Sequence, residues 1–210
     1  MKRIFDFVVA LAGLAILSPL FVVIVIAIKL DSAGPVFFRQ ERVGKGFRPF
    51  VLYKFRTMVK NAPGLGGPLT APADPRITRI GRLLRRTKLD ELPQLVNVLC
   101  GDMSLVGPRP EVPYYVDQFR ADFEEVLQVR PGITDLASIK YRNEHELLAT
   151  APDPEELYRR QILPDKIRLA KEYIARSSFV FDLTVLVRTL ASLFTFARKS
   201  SDVLDPRECR

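Results

Sequence analysis

The longest feature of the hydrophobic pattern is a run of 22 residues without a charge, from Phe7 to Ile28. As a continuous helix this run would be about 33 Å long, enough to cross a hydrocarbon core of about 30 Å. The run is longer than the core of a secretory signal peptide, and Lys29-Leu30-Asp31 offers no small-residue cleavage site. The pattern therefore predicts a membrane helix that is kept in the protein.

Two features favour a helix that enters and leaves the membrane on one side. Ser18 and Pro19 lie at the centre of the run, and a proline inside a helix removes a backbone hydrogen bond and favours a kink. Positive residues stand on both flanks, Lys2 and Arg3 before the run and Lys29 after it, and such residues mark cytoplasmic loops. The pattern favours a re-entrant helix broken at Ser18-Pro19. A spanning helix stays the alternative, because spanning helices tolerate proline.

After the run, the pattern predicts a small β-hairpin and then a series of helices. Val36–Phe38 and Phe50–Tyr53 are predicted strands on either side of the turn-rich Gly44-Lys45-Gly46. A loop rich in Gly and Pro follows over residues 61–75. Helices are predicted from Ile77 onward, over Leu92–Leu99, over Tyr114–Gln128, over Asp153–Arg176 with an interruption at Pro164, and over Phe179–Arg198. The fold class is therefore mainly α with a small β-hairpin.

The last predicted helix is amphipathic. At 100° per residue one arc collects its apolar side chains, namely Phe179, Leu183, Leu186, Val187, Leu190, Leu193, Phe194 and Ala197. Such a helix either lies in a membrane interface or packs on a protein core as an ordinary surface helix. Both interpretations stay open at the level of the sequence.

Charge and composition limit the classes of molecule that the protein is expected to bind. The formal net charge of +8 favours an anionic partner, and the neighbouring apolar run favours lipid head groups or a phosphorylated substrate. No nucleic-acid-binding signature is present, so no nucleic-acid partner is expected. His145 is the single histidine, which argues against a histidine metal site, and the separate Cys100 and Cys209 fit a reducing cytoplasm.

The first candidate site is the segment Arg85–Gln94, where Asp90 and Glu91 follow a basic cluster and precede an apolar-striped helix. One interpretation is structural: Asp90 caps the helix, with Pro93 in its first turn. The other is chemical, because a helix N-terminus attracts phosphate and Arg85 can bind phosphate oxygens bidentately. An ionised Asp can attack phosphorus without a general base, and one carboxylate can hold Mg²⁺ on a diphosphate.

Two further segments attach basic side chains to rigid turns. Arg109 is fixed between Pro108 and Pro110, which suits the aiming of a guanidinium group. Arg142 belongs to the basic segment Lys140–Asn143, which comes after the turn residues Pro131-Gly132. Both arginines are candidate functional residues on these grounds.

Together these segments resemble the bacterial sugar transferase family, the monotopic polyprenyl-phosphate phosphoglycosyl transferases. The resemblance covers residues 2–195 and rests on motifs that occur in one order, namely Lys2–Asp6, Ser18-Pro19, Lys54–Met58, Leu89–Leu95, Gly101–Pro110 and Val129–Thr134. It implies a re-entrant membrane helix over residues 1–30, a catalytic domain with interfacial helices over residues 31–198 and a tail over residues 199–210. Larger family members carry further N-terminal spanning helices, so the chain resembles the minimal catalytic form.

The resemblance also implies an activity and its residues. Asp90 and Glu91 correspond to the family's catalytic pair, in which the Asp forms a covalent phosphosugar intermediate and helps to hold Mg²⁺. Arg85, Arg109 and Arg142 correspond to phosphate-binding arginines. The resemblance implies two substrates, a nucleoside diphosphate sugar with UDP as the expected nucleotide, and polyprenyl (undecaprenyl) phosphate.

The expected place is the cytoplasmic face of the bacterial inner membrane, among membrane lipids, at the start of glycoconjugate or polysaccharide assembly. A homodimer is left open. The chain has Asp135-Leu136-Ala137-Ser138 where many members have Gly-Trp-Ala-Gln, so the resemblance does not carry over the identity of the sugar. Two alternatives stay open: a membrane-anchored basic adaptor without catalysis, and a spanning glycosyl transferase that acts by direct displacement.

Overall fold

The computed structural model describes residues 1–62 and 74–201, so most of the predicted loop over 61–75 and of the predicted tail over 199–210 lies outside the described residues. The predicted division of the chain at residues 30 and 198 stays a prediction. Helix α1 (Lys2–Asp31) contains the whole apolar run. By length and composition this helix could cross a membrane.

The predicted break at Ser18-Pro19 does not interrupt the helix, because α1 continues through Pro19. Proline has no N–H to donate to the carbonyl of Ala15, one turn earlier. The Ser18 hydroxyl donates to that carbonyl instead, over 2.8 Å. The structure therefore corrects the prediction of a broken helix, while re-entry of a continuous helix from one side of a membrane stays a prediction.

Helix α1 packs against the rest of the protein near both of its ends. Ala10 is buried in one apolar cluster with Val98, and Ile24 and Ile28 are buried in another with Leu84. Every residue from 11 to 19 is exposed or half-buried. Large apolar side chains also cover the outward side of the helix, namely Ile4, Phe7, Val8, Leu11, Ile16, Val22, Val23, Ile26 and Leu30.

Hydrogen bonds tie down the first turn of α1. The Lys2 ammonium group donates to the Val106 carbonyl over 2.9 Å and to the Asp182 carboxylate over 2.5 Å. The buried Asp6 carboxylate accepts from the Ser104 hydroxyl over 2.8 Å. These hydrogen bonds join the first turn of α1 to residues that are 98 to 180 positions later in the chain.

Another hydrogen bond ties down the last turn of α1. The Asp31 carboxylate accepts from the backbone N–H of Ile80 over 3.1 Å. Since both ends of α1 are attached to the same body of protein, the helix lies along it.

The predicted β-hairpin is confirmed. Strands β1 (Phe37–Val43) and β2 (Pro49–Phe55) pair antiparallel, with Gln40 opposite Leu52. The turn between them contains Gly46 at φ 66°, a left-handed backbone conformation that glycine adopts without steric cost.

The predicted basic helix and the apolar helix after it are also confirmed. They are α2 (Arg79–Thr87) and α3 (Gln94–Cys100), separated by a 3₁₀ turn. At Gly81, a Cβ atom would lie 2.0 Å from the carbonyl oxygen of Thr57, so only glycine lets the α2 backbone rest on the end of the hairpin. The Thr78 hydroxyl caps α2 by accepting from the Gly81 N–H over 3.0 Å.

A second sheet was not predicted. Strands β3 (Ser104–Val106) and β4 (Gly132–Thr134) pair in parallel. Each has three residues, too few for an alternating pattern to be recognised. Directly after β3, the Gly107 backbone passes so close to Gly132 that a Cβ atom on Gly132 would lie 2.1 Å from the Gly107 nitrogen.

Short helices form the rest of the described chain. They are α4 (Pro113–Gln118), α5 (Arg120–Val126), α6 (Leu136–Lys140), α7 (Glu144–Ala149), α8 (Pro154–Leu157), α9 (Leu163–Ala175) and α10 (Phe179–Ser201). The single helix predicted over Tyr114–Gln128 is two, because Phe119 leaves helical geometry at φ −115° and ψ 33°. The predicted interruption at Pro164 is also corrected, since this proline lies in the tolerant first turn of α9 and a π-helical turn, Tyr158–Ile162, leads into it.

Helix α10 turns only part of its predicted apolar arc toward the protein. Val185 and Asp182 are buried on the packed side. Of the predicted arc, Leu186 is half-buried against the core, whereas Phe179, Leu183, Val187 and Leu190 are exposed. The side chains of Leu193, Phe194 and Ala197 lie outside the described ones. An arc left exposed in this way favours the interfacial interpretation of the helix over core packing.

Candidate active site

The carboxylate pair lies in the 3₁₀ turn Leu89–Glu91 between α2 and α3. Lys88 reverses the chain after α2 in a left-handed conformation at φ 59°. Leu89 and Leu92 pack into the apolar cluster around Ile24 of α1, so the turn rests on this helix. Asp90 makes no capping hydrogen bond, which corrects the interpretation of this residue as a helix cap.

Glu91 is held by two basic side chains from different parts of the chain. The Lys54 ammonium group lies 2.9 Å from its Oε1 atom, and the Arg109 guanidinium donates to both of its carboxylate oxygens, over 3.1 Å to Oε2. Burial acts to raise the pKa of Glu91, but the charges of Arg109 and Lys54 outweigh it and hold the pKa well below its usual value. Glu91 is therefore an ionised and immobilised carboxylate.

Asp90 has the opposite surroundings. It is buried, and its Oδ1 atom has no hydrogen-bond partner among the described residues. Burial raises the pKa of Asp90, and the neighbouring charge of Glu91 raises it further. A buried carboxylate oxygen without a partner is costly, so Asp90 is poised to take up a cation or an electrophile.

Arg109 is aimed by its backbone as well as by Glu91. Its N–H donates over 3.0 Å to Oδ2 of Asp135, whose Oδ1 accepts from the Ser138 N–H and so caps α6. The charge of Glu91 is the main cause that raises the pKa of Arg109 above its usual value. Asp135, the residue at which the chain departs from the common family pattern, thus takes part in fixing Arg109.

Arg85 approaches the pair from α2. Its Nε atom donates over 2.8 Å to the hydroxyl of the buried Thr57. Burial lowers the pKa of Arg85, and the charge of Asp90 acts in the opposite direction, which places the two charges within reach of each other. The structure therefore brings together four of the predicted residues: Asp90, Glu91, Arg85 and Arg109.

Arg142, the fifth predicted residue, lies half-buried in the turn between α6 and α7, and burial lowers its pKa. The structure gives no contact between Arg142 and the pair, and the neighbouring Glu144 forms an ion pair with Lys166. Its role as a phosphate ligand stays a prediction.

Sequence reasoning missed two basic residues beside the pair. Lys54 lies in β2, within the motif Lys54–Met58, and its ammonium group pairs with Glu91. Arg42 in β1 pairs with Glu111 over 3.1 Å, and the charge of Arg109 contributes to its lowered pKa, for which burial is the main cause. The sequence did contain a sign of their role, because each strand of the predicted hairpin carries a basic residue among apolar ones.

The described residues contain no group of three or more His, Cys, Asp or Glu side chains that could hold a metal ion. This does not conflict with Mg²⁺, which binds through one or two carboxylates together with substrate phosphates and water. The buried, unpaired Oδ1 atom of Asp90 fits such a single protein ligand.

Fold and site define a class of small, mainly helical proteins that combine an apolar N-terminal helix with a carboxylate pair set among basic side chains. Residues 1–196 match the bacterial sugar transferase family, and the chain belongs to that family.

Three relatives illustrate the match. The UDP-glucose:undecaprenyl-phosphate glucose-1-phosphate transferase of Caulobacter vibrioides is 41% identical over 92% of this chain and 70% of its own length. The UDP-N-acetylgalactosamine-undecaprenyl-phosphate N-acetylgalactosaminephosphotransferase of Aeromonas hydrophila is 39% identical over 92% of this chain, which spans 44% of that relative. The exopolysaccharide production protein PSS of Rhizobium leguminosarum bv. phaseoli is 37% identical over 93% of this chain and 96% of its own length.

Proposed function

We propose that the protein transfers a sugar 1-phosphate from a UDP-sugar to polyprenyl phosphate, with undecaprenyl phosphate as the acceptor, at the start of glycoconjugate or polysaccharide assembly. The names of the Caulobacter and Aeromonas relatives support this reaction class, and they differ in the sugar. The observation that carries the proposal is the contrast between Asp90, buried with an unpaired oxygen, and Glu91, held by Arg109 and Lys54.

In the first step an oxygen of Asp90 attacks the sugar-linked phosphorus. A bond forms between this oxygen and phosphorus, the bond from phosphorus to the bridging oxygen breaks, and UMP leaves with the electron pair. An ionised carboxylate needs no general base for this attack. Glu91 is a poor candidate for the same role, because both of its oxygens are engaged by Arg109.

In the second step an oxygen of polyprenyl phosphate attacks the same phosphorus. The bond between phosphorus and Asp90 breaks, the carboxylate is restored, and polyprenyl diphosphosugar is released. Glu91 would keep Arg109 and Lys54 in place throughout, so that positive charge stays aimed at the transferring phosphoryl group. Its lowered pKa makes it a weak base, which favours this positioning role over deprotonation of the acceptor.

Basic residues and a metal would balance the charge of the donor. Arg85 and Arg142 are proposed to bind phosphate oxygens, and Asp90 is proposed to hold Mg²⁺. When bound, Mg²⁺ would neutralise charge on the diphosphate and on the leaving UMP.

The proposed location is the cytoplasmic face of the bacterial inner membrane, with α1 as a re-entrant helix. A helix that crosses from one side to the other cannot have both ends attached to one domain outside the membrane. Here Lys2 and Asp6 attach the first turn of α1 to the domain and Asp31 attaches the last. The exposed apolar arc of α10 would rest in the same interface.

The decisive measurement is the intact mass of the protein after incubation with Mg²⁺ and each of a panel of UDP-sugars, without lipid acceptor. We expect a gain of one phosphosugar on the peptide that contains Asp90, together with release of UMP. Asp90→Asn should abolish both, whereas Glu91→Gln should slow them. An adduct that persists in Asp90→Asn would refute the assignment of the nucleophile, and absence of UMP release with every donor would favour a non-catalytic adaptor.

A further inference from the structure

Helix α2 has two sides with different chemistry. Gly81 and Leu84 are buried on one side. The opposite side exposes an arginine face, defined here as Arg79, Arg82 and Arg86 around Leu83. At 100° per residue these three arginines fall within about 60° of one another, so their charges project from the same strip of the helix.

The positive charge of the arginine face is not balanced within the protein. Helix α2 contains no acidic residue, and no side-chain hydrogen bond or ion pair joins the three arginines to another group in the described ranges. On α9, by contrast, Arg168 and Arg176 pair with Glu172 of their own helix. Three like charges on one strip repel one another, so the face is complementary to an external anion.

Helix α2 lies next to the apolar helix, and the arginine face is on the side of α2 that does not contact α1. On the other side of α2, Leu84 is buried together with Ile24 and Ile28 of α1, and the Ile80 N–H donates to Asp31 at the end of α1. Within the face, Leu83 is 55% exposed. An exposed apolar residue among basic ones is the pattern of a helix that lies at head-group depth in a bilayer.

We propose that the arginine face binds the anionic head groups of the phospholipid bilayer in which α1 is embedded. The proposal rests on the membrane insertion of α1 proposed above. Guanidinium groups form bidentate contacts with phosphate, and basic residues next to a membrane are attracted by anionic lipids. Since the inner side of the same helix carries Arg85, this contact sets the depth of the catalytic pair relative to the head groups.

The test uses the full chain and does not depend on activity. A cysteine at Thr87, the exposed last residue of α2, is labelled with an environment-sensitive dye in a background that lacks Cys100 and Cys209. The protein is reconstituted into vesicles of phosphatidylcholine alone or with a third of phosphatidylglycerol. Quenching by acrylamide, which is uncharged, then reports how far the dye is protected.

We expect quenching to be about threefold weaker in the vesicles with phosphatidylglycerol, and this difference to vanish in 1 M NaCl, because salt screens the attraction. Arg79→Gln, Arg82→Gln and Arg86→Gln together should remove the difference, while the three Arg→Lys replacements should keep most of it. The control removes the same charge elsewhere, with Arg159→Gln, Arg160→Gln and Arg176→Gln, and should behave as wild type.

Three results would overturn the proposal. Equal quenching in both vesicle types means that the face does not bind anionic lipid. Protection by inorganic diphosphate in phosphatidylcholine vesicles, equal to that by phosphatidylglycerol, assigns the face to soluble polyanions. Failure of the wild type to float with vesicles of either composition shows that α1 does not insert, which removes the basis of this proposal without touching the adduct measured on Asp90.

Discussion

At the scale of residues, two adjacent carboxylates have acquired opposite properties. Glu91 is paired twice and has a lowered pKa, whereas Asp90 is buried beside it with a raised pKa and an unpaired oxygen. The difference arises from side-chain length and direction, because the longer Glu91 reaches Lys54 and Arg109 across the site. Environment, and not residue type, separates the two proposed roles.

Replacement of Arg109 tests whether its geometry matters beyond its charge. Arg109→Lys keeps the positive charge but loses the planar group that contacts both oxygens of Glu91. We expect turnover to fall about a hundredfold, as for other preorganised donors in active sites. The control is Arg176→Lys on the surface of α9, which should leave turnover unchanged. Equal effects of the two replacements would reduce Arg109 to a contributor of general positive charge.

Replacement of Asp135 tests whether this residue positions Arg109 for the reaction in addition to stabilising the fold. The Asp135 carboxylate caps α6 and also accepts from the Arg109 N–H, whereas the Asp153 carboxylate caps α8 by accepting from the Glu156 N–H. Each replacement by Ala should cost about 1 kcal/mol of unfolding free energy, measured by denaturant titration. Asp135→Ala should also lower turnover, by about tenfold, because Arg109 is no longer aimed, whereas Asp153→Ala should not, since within the described ranges the Asp153 carboxylate is bonded to its own helix alone. An unchanged turnover would show that Pro108 and Pro110 fix Arg109 without Asp135.

Thr57 is expected to act through Arg85. Thr57→Val keeps the shape of the side chain but removes the hydroxyl that receives the Arg85 Nε hydrogen bond. We expect kcat to fall about tenfold while the melting temperature changes little, since a misplaced phosphate ligand affects the transition state most. Thr57→Ser should restore kcat, and failure of this rescue would assign the loss to packing instead.

At the scale of elements, the local pattern predicted most of the fold. The hairpin, α2, α3 and α10 were expected from alternation, helical periodicity and turn residues. The pairing of β3 with β4 was not, because it joins Ser104 to Gly132 across two helices and depends on close backbone contact at Gly107. Short strands held by tertiary contact leave little trace in sequence.

The continuity of α1 through Pro19 leads to a prediction about topology. Single cysteines near residues 2 and 32, in a background without Cys100 and Cys209, should be labelled from the same side of sealed vesicles. Pro19→Ala restores the missing N–H and removes the tendency of proline to bend a helix, so a fraction of molecules should span the membrane and expose the two sites on opposite sides. Leu17→Ala, which keeps Pro19, is the control. Opposite labelling in the unaltered helix would refute re-entry.

At the scale of the whole molecule, the candidate site joins residues that are distant in sequence. Asp90, Glu91 and Arg109 could be predicted because each stands in a motif with distinctive local chemistry. The contacts of Lys54 with Glu91 and of Asp135 with Arg109 could not be predicted. They depend on which side of a strand or turn faces the carboxylate pair in the folded protein. The sequence therefore indicates the residues of the proposed reaction, and the structure was needed to find the side chains that contact them.

The attachment of Lys2 to Asp182 has a consequence for how the protein is made. Helix α1 leaves the ribosome before the rest of the domain, and the carboxylate that receives the Lys2 ammonium group is 180 positions later in the chain. At a synthesis rate of about 5–20 residues per second, that partner follows on the order of ten to forty seconds later. The partners of Asp31 and Asp6, at Ile80 and Ser104, are made earlier, so α1 gains its attachments in stages and the arrival of α10 completes them.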